Sequence, residues 1–195
     1  DMGGTPVPPC KYKFPVENVY DFVAIARALE NTGVSAYLGA SADLNGDLLT
    51  TAASIITVEA RHSAFLNEVL GQSSAPYPFD TPLSVKQVFT IASNFIEHCP
   101  YDLGVASFKQ LWATLPPKGE YKVETSFKDE DPHQTTWCQF LYNNKVVVSP
   151  RRECALPKTV TGYVYVVITD TATPIAFKDD SNILAGPALL FKGYH

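Results

Sequence analysis

The segment from Leu48 to Leu70 has the periodicity of an amphipathic helix, but its apolar side carries two ionisable side chains. Glu59 and His62 fall in line with apolar residues that recur at helical spacing. An ionised carboxylate on a buried face costs several kcal/mol unless something pairs with it. The chain therefore has to fold so that Glu59 and His62 find partners. The apolar positions on the same side are Leu48, Ala52, Ile55, Leu66 and Val69.

A second amphipathic helix is predicted directly upstream, because apolar residues recur at spacings of three and four from Val19 to Ala40, and Glu30 lies inside this apolar stripe. The connection around Ser41 to Asp47 contains Asn45-Gly46 and is short enough to make the two helices antiparallel. Glu30 lies roughly ten residues before this turn and Glu59 roughly a dozen after it, so at about 1.5 Å rise per residue the two carboxylates come out nearly level.

One Glu facing a Glu-x-x-His pair is half of the ligand set that holds two metal ions inside some helical bundles. We therefore predict Glu30, Glu59 and His62 as metal ligands. The alternative from the residues alone is a polar group in the core, hydrogen-bonded internally and holding no metal.

The N-terminal part of the chain is predicted to be helical, over residues 1–116. Helices are expected at about 18–42, 47–70 and 85–97, after a proline-rich extended arm over residues 1–15. Gly71 has the position of a C-terminal glycine cap for the second helix. Ser84 and Gln87 form a capping-box pattern at the start of the third helix, and Pro100 ends it.

After Leu115-Pro116-Pro117 the composition changes to short β-branched and aromatic segments separated by turn-forming residues. Asn143-Asn144 has the character of a hairpin turn. We predict a small antiparallel β-sandwich over residues 117–195, which makes the chain an α+β protein in two parts. The expected strands are Tyr121–Phe127, Trp137–Tyr142, Lys145–Val148, Tyr163–Thr169, Thr173–Phe177 and Ala188–Phe191.

Charge and hydropathy exclude several classes of function. The net charge is −5, and no basic cluster is longer than Arg151-Arg152, so we expect no nucleic-acid partner. No apolar run is long enough to cross a membrane. Motifs for nucleophilic hydrolysis and for phosphate binding are absent from the sequence. The first residue is Asp1 rather than Met, so we expect a processed chain or a piece of a longer one.

The four cysteines fall into two pairs that bracket the two halves of the chain. A Cys10–Cys99 bridge would tie together the ends of the helical part, and a Cys138–Cys154 bridge could join two strands. Buried free thiols are the alternative. Two disulfides would indicate a secreted or surface-exposed protein.

Four stretches resemble one known family: LENTGVSAYLGA, SIITVEARHSAFLNEVLG, PYPFDTPLSVKQVFTIASNFI and LAGPALLF. They are similar to the secreted ferritin-like proteins described as desiccation-related or stress-response proteins of fungi and plants. The resemblance implies that Glu30 matches the Glu of the third bundle helix, and that Glu59 and His62 match the Glu-x-x-His of the fourth. The first two helices of that bundle, with their own ligands, have no counterpart in this sequence.

The resemblance implies a secreted stress-response protein whose completed site would hold two iron or manganese ions, and such a site could carry out oxidase-like or catalase-like chemistry. The sequence itself assigns no catalytic residue. The bundle would be completed by a separate chain that carries the missing helices or by a second copy of this chain. The β part could instead cover the exposed helices and leave a half-site without metal.

A function of a different class is a non-enzymatic structural or binding protein that keeps the fold without metal. It would contact a partner through the loop around Tyr77 and Phe79, or a cell-wall carbohydrate through Trp137, Tyr163 and Tyr165.

Overall fold

The computed structural model describes residues 8–116, 121–128 and 134–193. These residues form an α+β fold in which three helices precede the main β-sheet. None of the helices in these ranges is long and apolar enough to cross a membrane. The helices are α1 (Val19–Ala40), α2 (Gly46–Val69) and α3 (Val85–Ala92). The strands are β1 (Lys11–Tyr12), β2 (Ile96–His98), β3 (Ala113–Thr114), β4 (Glu124–Thr125), β5 (Trp137–Tyr142), β6 (Lys145–Pro150), β7 (Gly162–Thr169) and β8 (Ile183–Lys192).

α1 and α2 form the predicted antiparallel hairpin, and local residues fix its ends. The Asn18 side chain caps α1 by accepting hydrogen bonds from the backbone of Tyr20 and Asp21. A 3₁₀ turn over Ser41–Asp43 leads into α2. Gly71 follows α2 with φ of 69°, so it occupies the left-handed conformation expected of a glycine cap.

α3 begins as predicted but is shorter than residues 85–97. Ser84 and Gln87 form a reciprocal capping box. The helix gives way to a 3₁₀ turn at Ser93 because side chains bind its last free carbonyls: Asn94 Nδ2 donates to Ile91 O at 3.1 Å, and Ser93 Oγ donates to Thr90 O at 2.9 Å. The rest of the predicted helix forms β2, which pairs with β1.

The main sheet is antiparallel, in the order β6-β5-β7-β8. β5 has the predicted bounds, and Asn143 and Asn144 connect it to β6 with φ of 47° and 55°, as a two-residue hairpin turn requires. The predicted strand Thr173–Phe177 does not form. The Gln139 side chain binds this segment instead, donating to Thr173 O at 2.9 Å and accepting from Ile175 N at 2.9 Å.

Both faces of the sheet are covered, and all eight residues of β7 are buried. Val164 and Val166 point into a cluster with Leu111 and Val123, which belong to loops and lie close to the short β3–β4 pair. The other face meets helical residues, since Val88 of α3 packs against the cluster that contains Tyr165. The predicted sandwich of two sheets is thus not confirmed, because loops and a short ribbon cover one face and helices the other. The predicted boundary at residues 116/117 adjoins residues 117–120, outside the described ranges.

Both predicted disulfides are present. Cys10–Cys99 joins the chain before β1 to the end of β2, so it fastens the N-terminal arm to the segment after α3. Cys138–Cys154 lies in the core below the sheet, where both residues are fully buried. All four cysteines are therefore used in bridges rather than as free thiols.

The face of the hairpin that packs on the sheet is not the predicted apolar stripe. The buried residues of α2 are Ala52, Ser63 and Asn67. Ser63 and Asn67 each follow a residue of the predicted stripe, His62 and Leu66, by one position. One residue corresponds to a rotation of about 100° around a helix. Apolar side chains of both helices remain exposed, by 65% at Val19 and 56% at Phe22 on α1 and by 44% at Leu48 and 55% at Val69 on α2.

Two tyrosines of β7 bind this polar face, and we call Tyr163 and Tyr165 the anchor tyrosines. The Tyr165 hydroxyl lies 2.8 Å from both Asn31 Nδ2 and Ser35 Oγ on α1, and Tyr165 is only 1% exposed. The Tyr163 hydroxyl lies 2.9 Å from Ser63 Oγ and 2.9 Å from Asn67 Oδ1 on α2. Each helix of the hairpin is thus hydrogen-bonded to β7, one of the two inner strands of the sheet.

Replacing Tyr165 by Phe should lower the free energy of unfolding by about 1–3 kcal/mol, because the buried Asn31 and Ser35 side chains lose their shared partner. Urea denaturation followed by circular dichroism measures the change. Tyr20→Phe is the matched control, since Tyr20 is 75% exposed at the start of α1. Equal stability of the two variants would contradict the role given to Tyr165.

Candidate metal centre

The three predicted ligands come together on one side of the hairpin. Glu30 lies on α1, and Glu59 and His62 lie one turn apart on α2. His62 Nδ1 is 3.2 Å from Glu30 Oε1, a hydrogen bond when Nδ1 carries the proton. In that tautomer Nε2 holds the lone pair that a metal ion needs. The antiparallel hairpin therefore brings Glu30 of α1 alongside the Glu59–His62 turn of α2.

Glu59 occupies a space left by a glycine on the facing helix. A Cβ atom placed on Gly33 would lie 2.5 Å from Glu59 Oε1 and 2.7 Å from Oε2, so only glycine leaves room for this carboxylate in its observed position. Gly33 follows Glu30 by three residues and lies on the same side of α1. On α1, Glu30 therefore provides a carboxylate that contacts His62, and Gly33 provides the space that the Glu59 side chain fills.

One oxygen of the Glu59 carboxylate is buried without a compensating partner, since Oε2 has no hydrogen-bond partner among the residues that the structure describes. Burial raises the pKa of the Glu59 carboxyl, the nearby Glu30 charge raises the pKa further, and His62 partly opposes both effects. A cation beside Oε2 would satisfy the orphaned oxygen and offset the repulsion between the two carboxylates.

The chemistry of these residues fits a metal ion, but their number does not complete a site. Carboxylate oxygens and an imidazole are suitable ligands for iron and manganese. Within the described ranges, no group of three or more His, Cys, Asp or Glu side chains is arranged to hold a metal ion. Glu30, Glu59 and His62 therefore amount to part of a coordination shell, and further ligands would have to come from elsewhere.

The cluster is more open than the sequence pattern predicts. The side chain of His62 is 56% exposed and that of Glu30 is 29% exposed, so His62 does not face a core within this chain. The reason is the rotation of α2 described above, which turns Ser63 and Asn67 rather than His62 towards the sheet. The candidate ligands thus lie beside the packed face, at the edge of the exposed apolar surface.

Sequence reasoning missed the polar contact between hairpin and sheet. Asn31, Ser35, Ser63 and Asn67 are polar, and the search for an apolar stripe placed none of them inside. A signal was present, because these residues recur at i, i+4 on each helix, the spacing of a single face. Tyr163 and Tyr165 lie in the predicted strand Tyr163–Thr169, and both are buried rather than exposed to a carbohydrate.

The pH dependence of stability should reveal the strained Glu59 carboxylate. Because the pKa of Glu59 is raised above its ordinary value of 4.5 in the folded chain, the unfolded chain loses this proton first, and stability falls as pH rises between the two pKa values. Glu59→Gln should therefore match the wild type near pH 4 and exceed its stability near pH 7, with chelator present. Urea denaturation across this pH range measures both.

Glu68→Gln is the matched control, because Glu68 is an exposed carboxylate on the same helix. Its stability relative to the wild type should not change with pH in this way. A Glu59→Gln protein that is less stable than the wild type at neutral pH would contradict the described environment of Glu59.

Residues 1–72 match the family model described as a ferritin-like domain. The matched range contains α1, α2 and all three candidate ligands, and it ends just beyond Gly71. A comparison with curated proteins found no match. The N-terminal part of the chain is therefore similar to a ferritin-like domain, whereas α3 and the sheet lie outside the matched range.

Proposed function

We propose that this protein is a secreted, ferritin-like metal-binding protein of the desiccation-related or stress-response type, in which Glu30, Glu59 and His62 hold iron or manganese. The observation that carries the proposal is the buried, unpartnered Glu59 Oε2 atom beside a second carboxylate and an imidazole. The match of residues 1–72 to a ferritin-like domain supports it independently. The two disulfides are compatible with an extracellular location.

The missing ligands come, in this proposal, from a second copy of the chain. Two copies related by a two-fold axis bring together four Glu and two His, the set that di-metal helical bundles use. The exposed apolar side chains on the hairpin support this arrangement, since Phe22 is 56% exposed and Phe65 is 65% exposed close to the candidate ligands in sequence. The alternative source is a separate chain with ferritin-like helices. The mass of the metal-loaded complex distinguishes such a chain from a second copy.

The roles of the residues follow from their chemistry. In this proposal Glu30 and Glu59 would hold the metal through carboxylate oxygens and His62 through Nε2, because Nδ1 of His62 donates to Glu30. Iron or manganese bound there would supply redox chemistry towards oxygen or peroxide. The recess at Gly33 keeps the Glu59 carboxylate against α1.

A second candidate is a structural or binding protein without metal. The hydrogen bond between His62 and Glu30 favours it, because this contact partners both side chains without any ion. Of the aromatic residues considered for partner or carbohydrate binding, Tyr163 and Tyr165 are buried, and Tyr77 packs against Tyr142 with ring centroids 5.7 Å apart. Phe79 is 62% exposed, so it is accessible on the surface of that loop.

Native mass spectrometry after loading with Mn²⁺ or, under anaerobic conditions, Fe²⁺ tests the proposal. We expect a species of twice the 21.3 kDa chain mass that carries two metal ions. Glu59→Gln should weaken binding by at least about tenfold, because it removes a direct ligand and even outer-shell changes cost that much. Glu68→Gln should bind as the wild type does.

Each outcome assigns a function. A metal-free 21.3 kDa monomer under all loading conditions would overturn the metal proposal and favour the structural protein. A metal-loaded complex with a different polypeptide, obtained from the natural source, would keep the metal site and replace the second copy by a separate chain. Equal metal binding by the two variants would place the ions away from Glu59.

A further inference from the structure

One side of α2 carries a largely apolar seam that runs along almost the whole helix. The residues of this seam alternate at spacings of three and four: Leu48, Thr51, Ile55, Val58, His62, Phe65 and Val69. Six of the seven are exposed, and Ile55 is half-buried. Such a heptad pattern is typical of a helix that packs against a second helix.

The seam is distinct from the two other sides of α2. The side with Ser63 and Asn67 is buried against the sheet, whereas the side with Thr57 and Arg61 is exposed and polar. At about 100° per residue, the seam lies between these two sides. Within α2, which the structure describes in full, Leu49 is the only largely exposed apolar side chain that lies off the seam. The exposed apolar surface of this helix is therefore gathered on one side.

The area that the hairpin exposes beside the candidate ligands is of the order that a stable dimer needs. A standard interface takes about 800 Å² from each partner. Phe65 on the seam is 65% exposed and Phe22 on α1 is 56% exposed, so these two aromatic side chains together offer on the order of 200–250 Å². Phe22 precedes Glu30 by eight residues and therefore lies on the same side of α1. The exposed aliphatic side chains that add to this surface are Val19, Leu48, Val58 and Val69.

The seam fits a second copy of itself in the antiparallel direction. A parallel pair would set His62 against His62 of the second copy and would align two helix dipoles. Two antiparallel registers bring six of the seven seam positions opposite seam positions of the second copy. In the first register Ile55 faces Phe65 and Val58 faces His62. In the second register Ile55 faces Val58, and Thr51 faces His62.

The candidate metal ligands select the first register, a step that rests on the proposed function. In that register the two-fold axis crosses α2 near Ala60, so each His62 lies about 3 Å from the axis along the helix. The ligands of both copies then lie within roughly one helical turn of each other, as a shared site requires. In the second register the two His62 residues are about 16 Å apart along the helix, which is too far for a shared site.

We propose that the hairpin pairs with a second copy of this chain through the seam, with the two α2 helices antiparallel and Ile55 of each copy facing Phe65 of the other. The pairing deepens the proposed function, because it defines how the second copy is oriented at the metal site. Its apolar contacts do not involve a metal ion, so the dimer also forms in the metal-free protein.

Sedimentation velocity of the wild-type protein in chelator tests the pairing. We expect a species of twice the 21.3 kDa chain mass. Phe65→Asp should raise the dissociation constant of this dimer at least about thirtyfold, because it places a charge in the seam. Thr57→Asp is the matched control on the polar side of α2 and should leave the constant unchanged.

The outcomes separate this pairing from metal binding. A wild-type protein that stays monomeric both in chelator and with manganese would overturn the pairing. If that monomer binds manganese, the metal site of the proposed function still stands. A dimer that never binds metal would support the pairing and overturn the metal site.

Disulfide cross-linking between single-cysteine variants tests the register. All four native cysteines are in bridges, so the introduced cysteine is the only free thiol. Ile55→Cys mixed with Phe65→Cys should give a cross-linked dimer, identified by its mass, because a disulfide needs Cα atoms within about 7 Å. Thr57→Cys mixed with Phe65→Cys is the control and should give none.

The other registers predict different cross-links. Ile55→Cys should not cross-link to Val58→Cys, since the first register sets these positions about 10 Å apart along the helix. A cross-link between those two variants would show the second register and overturn the proposal. A cross-link of Ile55→Cys to itself would also overturn it, because the first register sets these two positions about 15 Å apart.

Discussion

The hydrogen bonds of Tyr163 and Tyr165 determine how the helical hairpin sits on the sheet. Both hydroxyls project from β7, whose residues are all buried, and each reaches a different helix. A buried hydroxyl without a partner would be costly, so the polar faces of α1 and α2 have to turn towards β7. Arg27 adds a further contact between α1 and the sheet, since its guanidinium lies 3.9 Å from the centre of the Phe191 ring.

This orientation of the hairpin determines which of its side chains remain exposed to solvent. With the polar face of the hairpin on the sheet, the side that carries Glu30 and His62 remains partly exposed, on helices that also carry the exposed Phe22 and Phe65. A carboxylate pair with one orphaned oxygen beside an open apolar surface is an incomplete arrangement in both charge and packing. A second copy with metal would meet both requirements at once, which is why we connect metal binding with assembly.

Local patterns predicted the elements well. The asparagine turn between β5 and β6, the capping box at Ser84 and the glycine after α2 all depend on a few neighbouring residues, and all form as predicted. Residue counts also predicted that Glu30 and Glu59 lie nearly level, because the rise per residue of a helix is fixed. In the structure Glu59 lies against Gly33, one turn after Glu30, and His62 contacts Glu30 itself. The disulfides form as predicted: Cys10–Cys99 lies within the first half of the chain and Cys138–Cys154 within the second.

Long-range contacts were beyond these patterns. The rotation of α2 depends on Tyr163, about a hundred residues away, so periodicity alone placed His62 rather than Ser63 towards the core. The segment around Thr173 has residues typical of a strand, but its backbone groups are hydrogen-bonded to the Gln139 side chain instead of to a neighbouring strand. The prediction of a second large sheet is not confirmed for a related reason: helical residues cover one face of the main sheet, where the sandwich would have placed another sheet.

The most direct measurement is a crystal structure of the manganese-loaded protein with anomalous data collected at the manganese edge. The account predicts two anomalous peaks at the hairpin, with Glu59 and His62 as ligands and the remaining ligands contributed by a two-fold related copy. Absence of any peak within coordination distance of Glu59 and His62, in crystals whose manganese content is verified, would contradict it. Peaks ligated by one chain alone would retain the metal and contradict the assembly.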